Sequence, residues 1–474
     1  MCFPGSVVLT FVKAKGDHKY YIGTTSRTPT KVRVKEMDAE DYMSFDDGFS
    51  YLCGQSDLST RTLRAMMRPH TYTSSEYVKY YQELIDMLKK LVHTKASLLM
   101  IPGPIRVGMD TAIASVTEPG DKILAVWNGY WGRYVAYMVK TYEGTTVFSK
   151  QEPEYPVDPK TVEKELEKDK KIKAVHVVYC ETENGILNPV GEIGEVVKKF
   201  PALFIVDAAT AVPGNKIDHD RWGIDICYFG SHKGMNAPSG LTPITASDKA
   251  WEVIRKRKTP IRSWYSNLDT WTKVWLDPME KDPHEVPHCI ESYPAPIMHA
   301  MRAKMDYINR LGEDRYLKKY ELASRAMRLG MRAMGLKPVA DCSKCPGCVP
   351  EKKFCSHTNF AVRVPPGVDG AKFGLLLEDR YRITAHHASF GPDKEMGFPT
   401  PKWFTAEAAV RIGNINDIQH IPRNILAMIV STGLSMNELG AQGLDIMKGI
   451  QAANEVFKEY EKLIPYYQKA GPWW

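Results

Sequence analysis

Residues 204–240 read FIVDAATAVPGNKIDHDRWGIDICYFGSHKGMNAPSG. Residues 203–207 are apolar until they close on Asp207, and residues 224–230 run into Ser231-His232-Lys233. Both runs are short, rich in β-branched and aromatic residues, and apolar at consecutive positions. That is the pattern of strands buried on both faces of a mostly parallel sheet. In such a sheet the side chains at the C-terminal strand ends look into the ligand crevice. Asp207 and Lys233 are therefore expected to face the same space. Read singly, Lys233 would be a solvated loop lysine and Asp207 a helix cap.

Outward from this window the same alternation of strand and helix repeats. Residues 97–101, 122–127, 145–148, 174–180 and 241–246 are further strand candidates. Helical spacing of Tyr77, Tyr81, Leu84, Ile85, Leu88 and Leu91, with Ser74 or Ser75 as cap, and the segments 130–142, 159–170 and 193–200 supply helices between them. Alternation of this kind specifies an α/β layer architecture. Beyond Pro294 a long helical stretch, 297–334, breaks at Gly312, and strands at 359–364 and 410–415, a helix at 371–379 and a terminal helix pair form a smaller α+β region. The expected organisation is an N-terminal arm at 1–50, a large domain at 51–296 and a small domain at 297–474.

The composition is that of an ordinary soluble globular protein. The chain has 474 residues, 43% hydrophobic and 25% charged, which excludes disorder, collagen and coiled coil. The net charge of +7 is spread without long basic runs, so nucleic acid is not an expected partner. The apolar run at 7–12 is too short for a membrane helix and follows no basic region, so no membrane association is expected. Nine cysteines, an odd number without a secretory signal, point to a reducing, cytoplasmic location.

A lysine desolvated at a strand end can form a Schiff base, and a strand-end carboxylate is the partner a pyridinium nitrogen requires. In this respect the sequence resembles the class V aminotransferases of the fold type I pyridoxal phosphate enzymes, in particular the alanine:glyoxylate and serine:pyruvate group. The motifs that carry the resemblance are Glu118-Pro-Gly-Asp121, Asn128-Gly-Tyr-Trp-Gly132, Glu181-Thr-Glu-Asn-Gly185, Val206-Asp-Ala-Ala209, Ser231-His-Lys-Gly-Met-Asn-Ala-Pro-Ser-Gly240 and Val410-Arg-Ile-Gly413. It implies Lys233 as the catalytic residue, with Asp207, Trp131, Thr182 and Ala209 around the cofactor ring. Arg411 would grip the substrate carboxylate, which a guanidinium can do bidentately.

One turn departs from the family. Its phosphate-binding sequence aligns with Pro102-Gly-Pro-Ile-Arg106, where prolines remove amide donors. Gly103 still permits close approach, and Arg106 or His232 is expected to supply compensating donors. The resemblance further implies a homodimer, with the site completed by residues near Ser292 and Tyr293 of the partner subunit. The expected reaction moves an amino group from a small α-amino acid to a 2-oxo acid such as pyruvate or glyoxylate. A lyase, epimerase or carbon–carbon bond-forming enzyme on the same scaffold is the alternative.

The family pattern lacks the cysteine segment 341–357. Cys342, Cys345, Cys348 and Cys355, with His357, offer enough soft ligands on a short loop to close a tetrahedral zinc site. An iron–sulfur cluster and plain thiols are the other readings of that spacing.

Overall fold

The computed structural model describes residues 9–13, 20–24, 49–50, 58–68, 75–150, 155–281, 293–340, 354–381, 383–384, 386–387, 409–413 and 421–466. Strands β1 (Leu9–Lys13) and β2 (Tyr20–Thr24) pair antiparallel, and β3 (Phe49–Ser50) stands apart from them. The central sheet has seven strands. In chain order they are β4 (Ser97–Gly103), β5 (Lys122–Trp127), β6 (Thr145–Lys150), β7 (Ile172–Val178), β10 (Leu203–Asp207), β11 (Ile226–Tyr228) and β12 (Gly240–Ala246), with the short antiparallel pair β8 (Cys180–Glu181) and β9 (Ile186–Leu187) set between β7 and β10.

The spatial order is β4-β12-β11-β10-β7-β5-β6, and only β12 runs against its neighbours. A mostly parallel sheet is what the doubly apolar runs require. Strand β10 sits between β7 and β11, in register at Asp207 with Val178 and Tyr228. This places Asp207 in the middle of the sheet, at the C-terminal ends of three parallel strands. Glu118 and Asp121 mark the opposite end. Both carboxylates bind Lys173 Nζ, at 3.1 and 2.6 Å, and Glu118 also accepts the amides of Lys258 and Thr259, which with Lys173 hold its carboxyl down at about 2 despite burial. That motif closes a turn before β5 and does not reach the crevice.

The Ile105–Val116 helix lies on the sheet through Gly108. A Cβ there would fall 2.6 Å from Thr242 Cγ2 and 3.0 Å from Tyr228 Cβ. Its C-terminus is held by Arg257, whose Nη1 donates to the carbonyls of Ser115 (3.1 Å) and Thr117 (2.8 Å). The Ala295–Leu311 and Glu313–Met334 helices break at Gly312, as expected, where φ is +87°.

The second of these helices joins two cores. Tyr316 and Tyr320 belong to the core around the sheet, while Leu322, Met327 and Met334 belong to a second one. This second core is built with the Gly370–Tyr381, Ile421–Glu438 and Ile446–Glu461 helices. Beside it, β13 (Asn359–Arg363) pairs with β16 (Ala409–Gly413), which pairs in turn with β15 (His386–His387); β14 (Ile383–Thr384) runs parallel to β3.

Candidate active site

Asp207 and Lys233 meet at the strand ends. The Asp207 carboxylate is buried; it accepts the Ala209 amide at 2.8 Å and a hydrogen bond from the Tyr228 hydroxyl. Burial pushes its pKa up to about 6, against the pull of those two donors and of the Lys233 charge. The Lys233 loop is fixed on both sides. Ser231 Oγ donates to the Pro238 carbonyl at 2.6 Å, the Asn236 amide donates to the Lys233 carbonyl at 2.9 Å, and the Asn236 side chain and carbonyl accept from Thr62 Oγ1 at the start of the Thr60–Met66 helix.

His232 shares this space with Lys233 and Arg106. Burial, then the charges of Lys233 and Arg106, lower its pKa to about 4, so the ring is neutral near pH 7. Its Nδ1 is buried without a hydrogen-bond partner among the described residues.

The aromatic wall comes from the Tyr130–Thr141 helix. Trp131 packs edge-on against Tyr130 (5.1 Å) and Tyr134 (5.3 Å), and the exposed Arg106 guanidinium stands 5.5 Å from the Trp131 and Tyr134 rings. Arg106 is thus held at the crevice by cation–π contacts.

Two residues of the Glu181–Gly185 motif to which the sequence assigned no role seat this helix. Glu181 Oε2 accepts the amides of Trp131 and Gly132, each at 3.1 Å, and Glu183 accepts the amide of Tyr130. The first-turn N–H groups, which have no partner within a helix, are thereby satisfied by buried carboxylates. Glu181 is fully buried, and desolvation raises its pKa to about 7 against the pull of those amides. Gly129 has to be glycine here, since a Cβ would lie 2.1 Å from Glu181 Cγ. Between the two acids, Thr182 Oγ1 is buried with no partner among the described residues, and the Thr182 carbonyl accepts Asn359 Nδ2 at 2.9 Å.

At the Pro-Gly-Pro turn, Pro102 is paired within β4 and Pro104 is the N-cap of the Ile105–Val116 helix, with no side-chain cap. Gly103 has φ +138°, and a Cβ would sit 2.6 Å from Val107 Cγ2. The prolines therefore leave a helix N-terminus, with Arg106 in its first turn, facing the crevice. The donor set fits pyridoxal phosphate: a buried carboxylate beside a lysine for the ring nitrogen and carbonyl, two orphaned polar atoms (Thr182 Oγ1 and His232 Nδ1), an indole wall, and a positive helix end for the phosphate.

Arg411 lies on β16, opposite Ala361 and His386. Tyr293 is buried in its own chain, its ring stacked 4.4 Å from Trp275 and its hydroxyl donating to the Met100 carbonyl. Ser292 lies outside the described residues, as do Cys342, Cys345 and Cys348. Cys355 is buried and bridges to Ile186, beside β8. Among the described residues no group of three or more His, Cys, Asp or Glu side chains is arranged to hold a metal.

A family model described as aminotransferase class V matches residues 64–383. An uncharacterized aminotransferase of Methanocaldococcus jannaschii is 30% identical over 404 residues, which are 85% of this chain and 96% of that protein. The (S)-ureidoglycine–glyoxylate transaminase of Bacillus subtilis is 26% identical over 85% of this chain and 94% of its own. The crystal structure of the ureidoglycine–glyoxylate aminotransferase from B. subtilis superposes with a TM-score of 0.73 at 26% identity, covering 87% of this chain and 98% of that one. The pyridoxamine–pyruvate transaminase of Mesorhizobium japonicum is 26% identical over 79% of this chain and 87% of its own.

Proposed function

The chain belongs to the class V aminotransferase family of pyridoxal phosphate-dependent, fold type I enzymes, and we propose that it moves an amino group from a small α-amino acid to pyruvate or glyoxylate. The relatives named for glyoxylate and pyruvate support that choice of acceptor. The observation that carries the site assignment is the meeting of Asp207 and Lys233 at the C-terminal ends of the parallel strands, close enough for the lysine charge to act on the carboxyl. No observation favours the lyase, epimerase or carbon–carbon bond-forming alternative.

Pyridoxal phosphate supplies, when bound, an electrophilic carbonyl for the substrate amine and a pyridine ring that accepts electrons. Lys233 Nζ is the amine that would hold the cofactor, and it is the group we assign as general base and acid for the substrate α-proton. Asp207, oriented by the Ala209 amide, would hold the ring nitrogen in its protonated form. Trp131 would pack on the ring and Thr182 Oγ1 would bind its hydroxyl. The helix end after Gly103, with Arg106 and His232, would hold the phosphate. Arg411 orients the substrate α-carboxylate.

We further propose the arm, large-domain and small-domain division at residues 50 and 296, a homodimer, and a cytoplasmic location. Zinc at Cys342, Cys345, Cys348 and Cys355 is a proposal to be checked by metal analysis of the purified protein. The functional test is Lys233→Ala. It should abolish both the visible absorbance of the bound cofactor and turnover in a screen of amino donors against pyruvate and glyoxylate; retention of both would overturn the assignment.

A further inference from the structure

We propose that Tyr228 and His176 form a buried hydrogen-bond chain that holds the Asp207 carboxylate ionised and aimed into the crevice, so that both are positioning residues for the cofactor site. The inference rests on the role given to Asp207 above. Three neighbouring strands assemble the chain. Tyr228 is level with Asp207 on β11, and His176 on β7 is level with Ile205, two residues before Asp207 and on the same face. The Tyr228 hydroxyl donates to Asp207 and lies 2.8 Å from His176 Nε2. The two rings are nearly parallel, at 20° and 6.3 Å between centroids.

The proton count fixes the direction. A phenol has one proton, and here it goes to Asp207. Nε2 of His176 must then carry a hydrogen and donate to the phenolic oxygen. His176 is fully buried, and burial drops its pKa to about 3, so the ring is neutral and has no second proton. Its Nδ1 is accordingly a bare acceptor, and it has no hydrogen-bond partner among the described residues. The chain runs one way, from imidazole through phenol to carboxylate, and its bonds polarise one another.

Geometry keeps it in place. The Ile105–Val116 helix presses on the Tyr228 ring through Gly108, where a Cβ would be 3.2 Å from Cγ. The other titratable groups acting on or facing Asp207 are Lys233 from the loop, Glu181 at the end of β8 and Cys227 on β11. Of these, Lys233 alone favours the carboxylate form. The hydrogen bonds from Tyr228 and the Ala209 amide supply the rest.

The test follows the Asp207 carboxyl in the full chain, stripped of cofactor, by infrared or carbon NMR titration. Tyr228→Phe should raise its midpoint by about one to two pH units, the worth of a hydrogen bond to a charged group. His176→Phe should raise it by about half a unit to one unit, because the phenol remains but loses its polarising donor. His176→Gln, whose amide N–H reaches toward the same hydroxyl, should restore the midpoint where a merely structural role would not. Unmoved midpoints in Tyr228→Phe and His176→Phe would overturn the chain, and the His176 pair decides if Tyr228→Phe does not fold. Pyridoxal phosphate titrated back should bind about ten-fold more weakly to Tyr228→Phe. A shifted Asp207 with unchanged cofactor affinity upholds the chain and removes Asp207 from the ring nitrogen, which separates this inference from the functional reading beneath it.

Discussion

Replacing Glu181 by glutamine should change how the stability of the cofactor-free protein depends on pH. Folding moves the Glu181 pKa from 4.5 to about 7. A carboxyl whose pKa is raised in the folded state binds its proton more tightly there, so its favourable contribution is complete below pH 4.5 and is lost as pH rises through 7. At 1.36 kcal/mol per unit, the loss is about 3 kcal/mol. An amide cannot ionise, and its carbonyl can still accept the Trp131 and Gly132 amides. The stability of Glu181→Gln relative to wild type should therefore climb by about 3 kcal/mol between pH 4.5 and pH 8. Buried His176, His232 and His357, with pKa values lowered to about 3, 4 and 4, give the opposite slope, since each loses stability as pH falls below 6.5. They are common to both proteins and cancel in the difference. Asp207, raised to about 6 by its own burial, is likewise common to both proteins, and its repulsion of Glu181 is already contained in the Glu181 shift. Urea unfolding at four pH values, read by tryptophan fluorescence, measures the difference directly. A difference flat within about 1 kcal/mol, or one that falls with pH, would refute the reasoning.

Gly108→Ala should destabilise the protein by about 1–3 kcal/mol through the 2.6 Å clash with Thr242 Cγ2, measured as a lower unfolding midpoint. Thr182→Val removes a buried hydroxyl that has no partner among the described residues. It should leave the cofactor-free protein as stable as wild type or more so, while weakening pyridoxal phosphate binding about five- to ten-fold in a fluorescence titration.

The sheet was legible because strands covered on both faces have nowhere to put polar residues. Residues 122–127 and 203–207 come out with the boundaries expected from the text. The reversed direction of β12 was not legible, since an apolar run does not record which way it is crossed. Glu181 and Glu183 stand in the Glu181–Gly185 motif with no role of their own legible there. Their partners are backbone amides about 50 residues earlier, and no side-chain pattern marks a peptide N–H as unsatisfied. His176 was absorbed into an apolar strand for the same reason: its value depends on Tyr228, which only the β7-β10-β11 order brings near. Asp207 and Lys233 could be placed at strand ends because strand-end position is itself a sequence feature, while the roles given to them come from the family resemblance. Arg411 could be placed on a strand, but the sequence does not state what that strand faces.

The grip of Arg257 on the Ile105–Val116 helix bears on how an anion is received at the other end. A helix carries about half a positive charge at its N-terminus and half a negative one at its C-terminus. Here the guanidinium covers the negative pole, at the Ser115 and Thr117 carbonyls, while Pro104 brings no side chain to the positive pole. The helix is thus electrically lopsided: its far end is already compensated, and the field at the Gly103 turn is opposed by less of its own opposite charge. A dianion docking there would meet an attraction partly set by an arginine a whole helix length away.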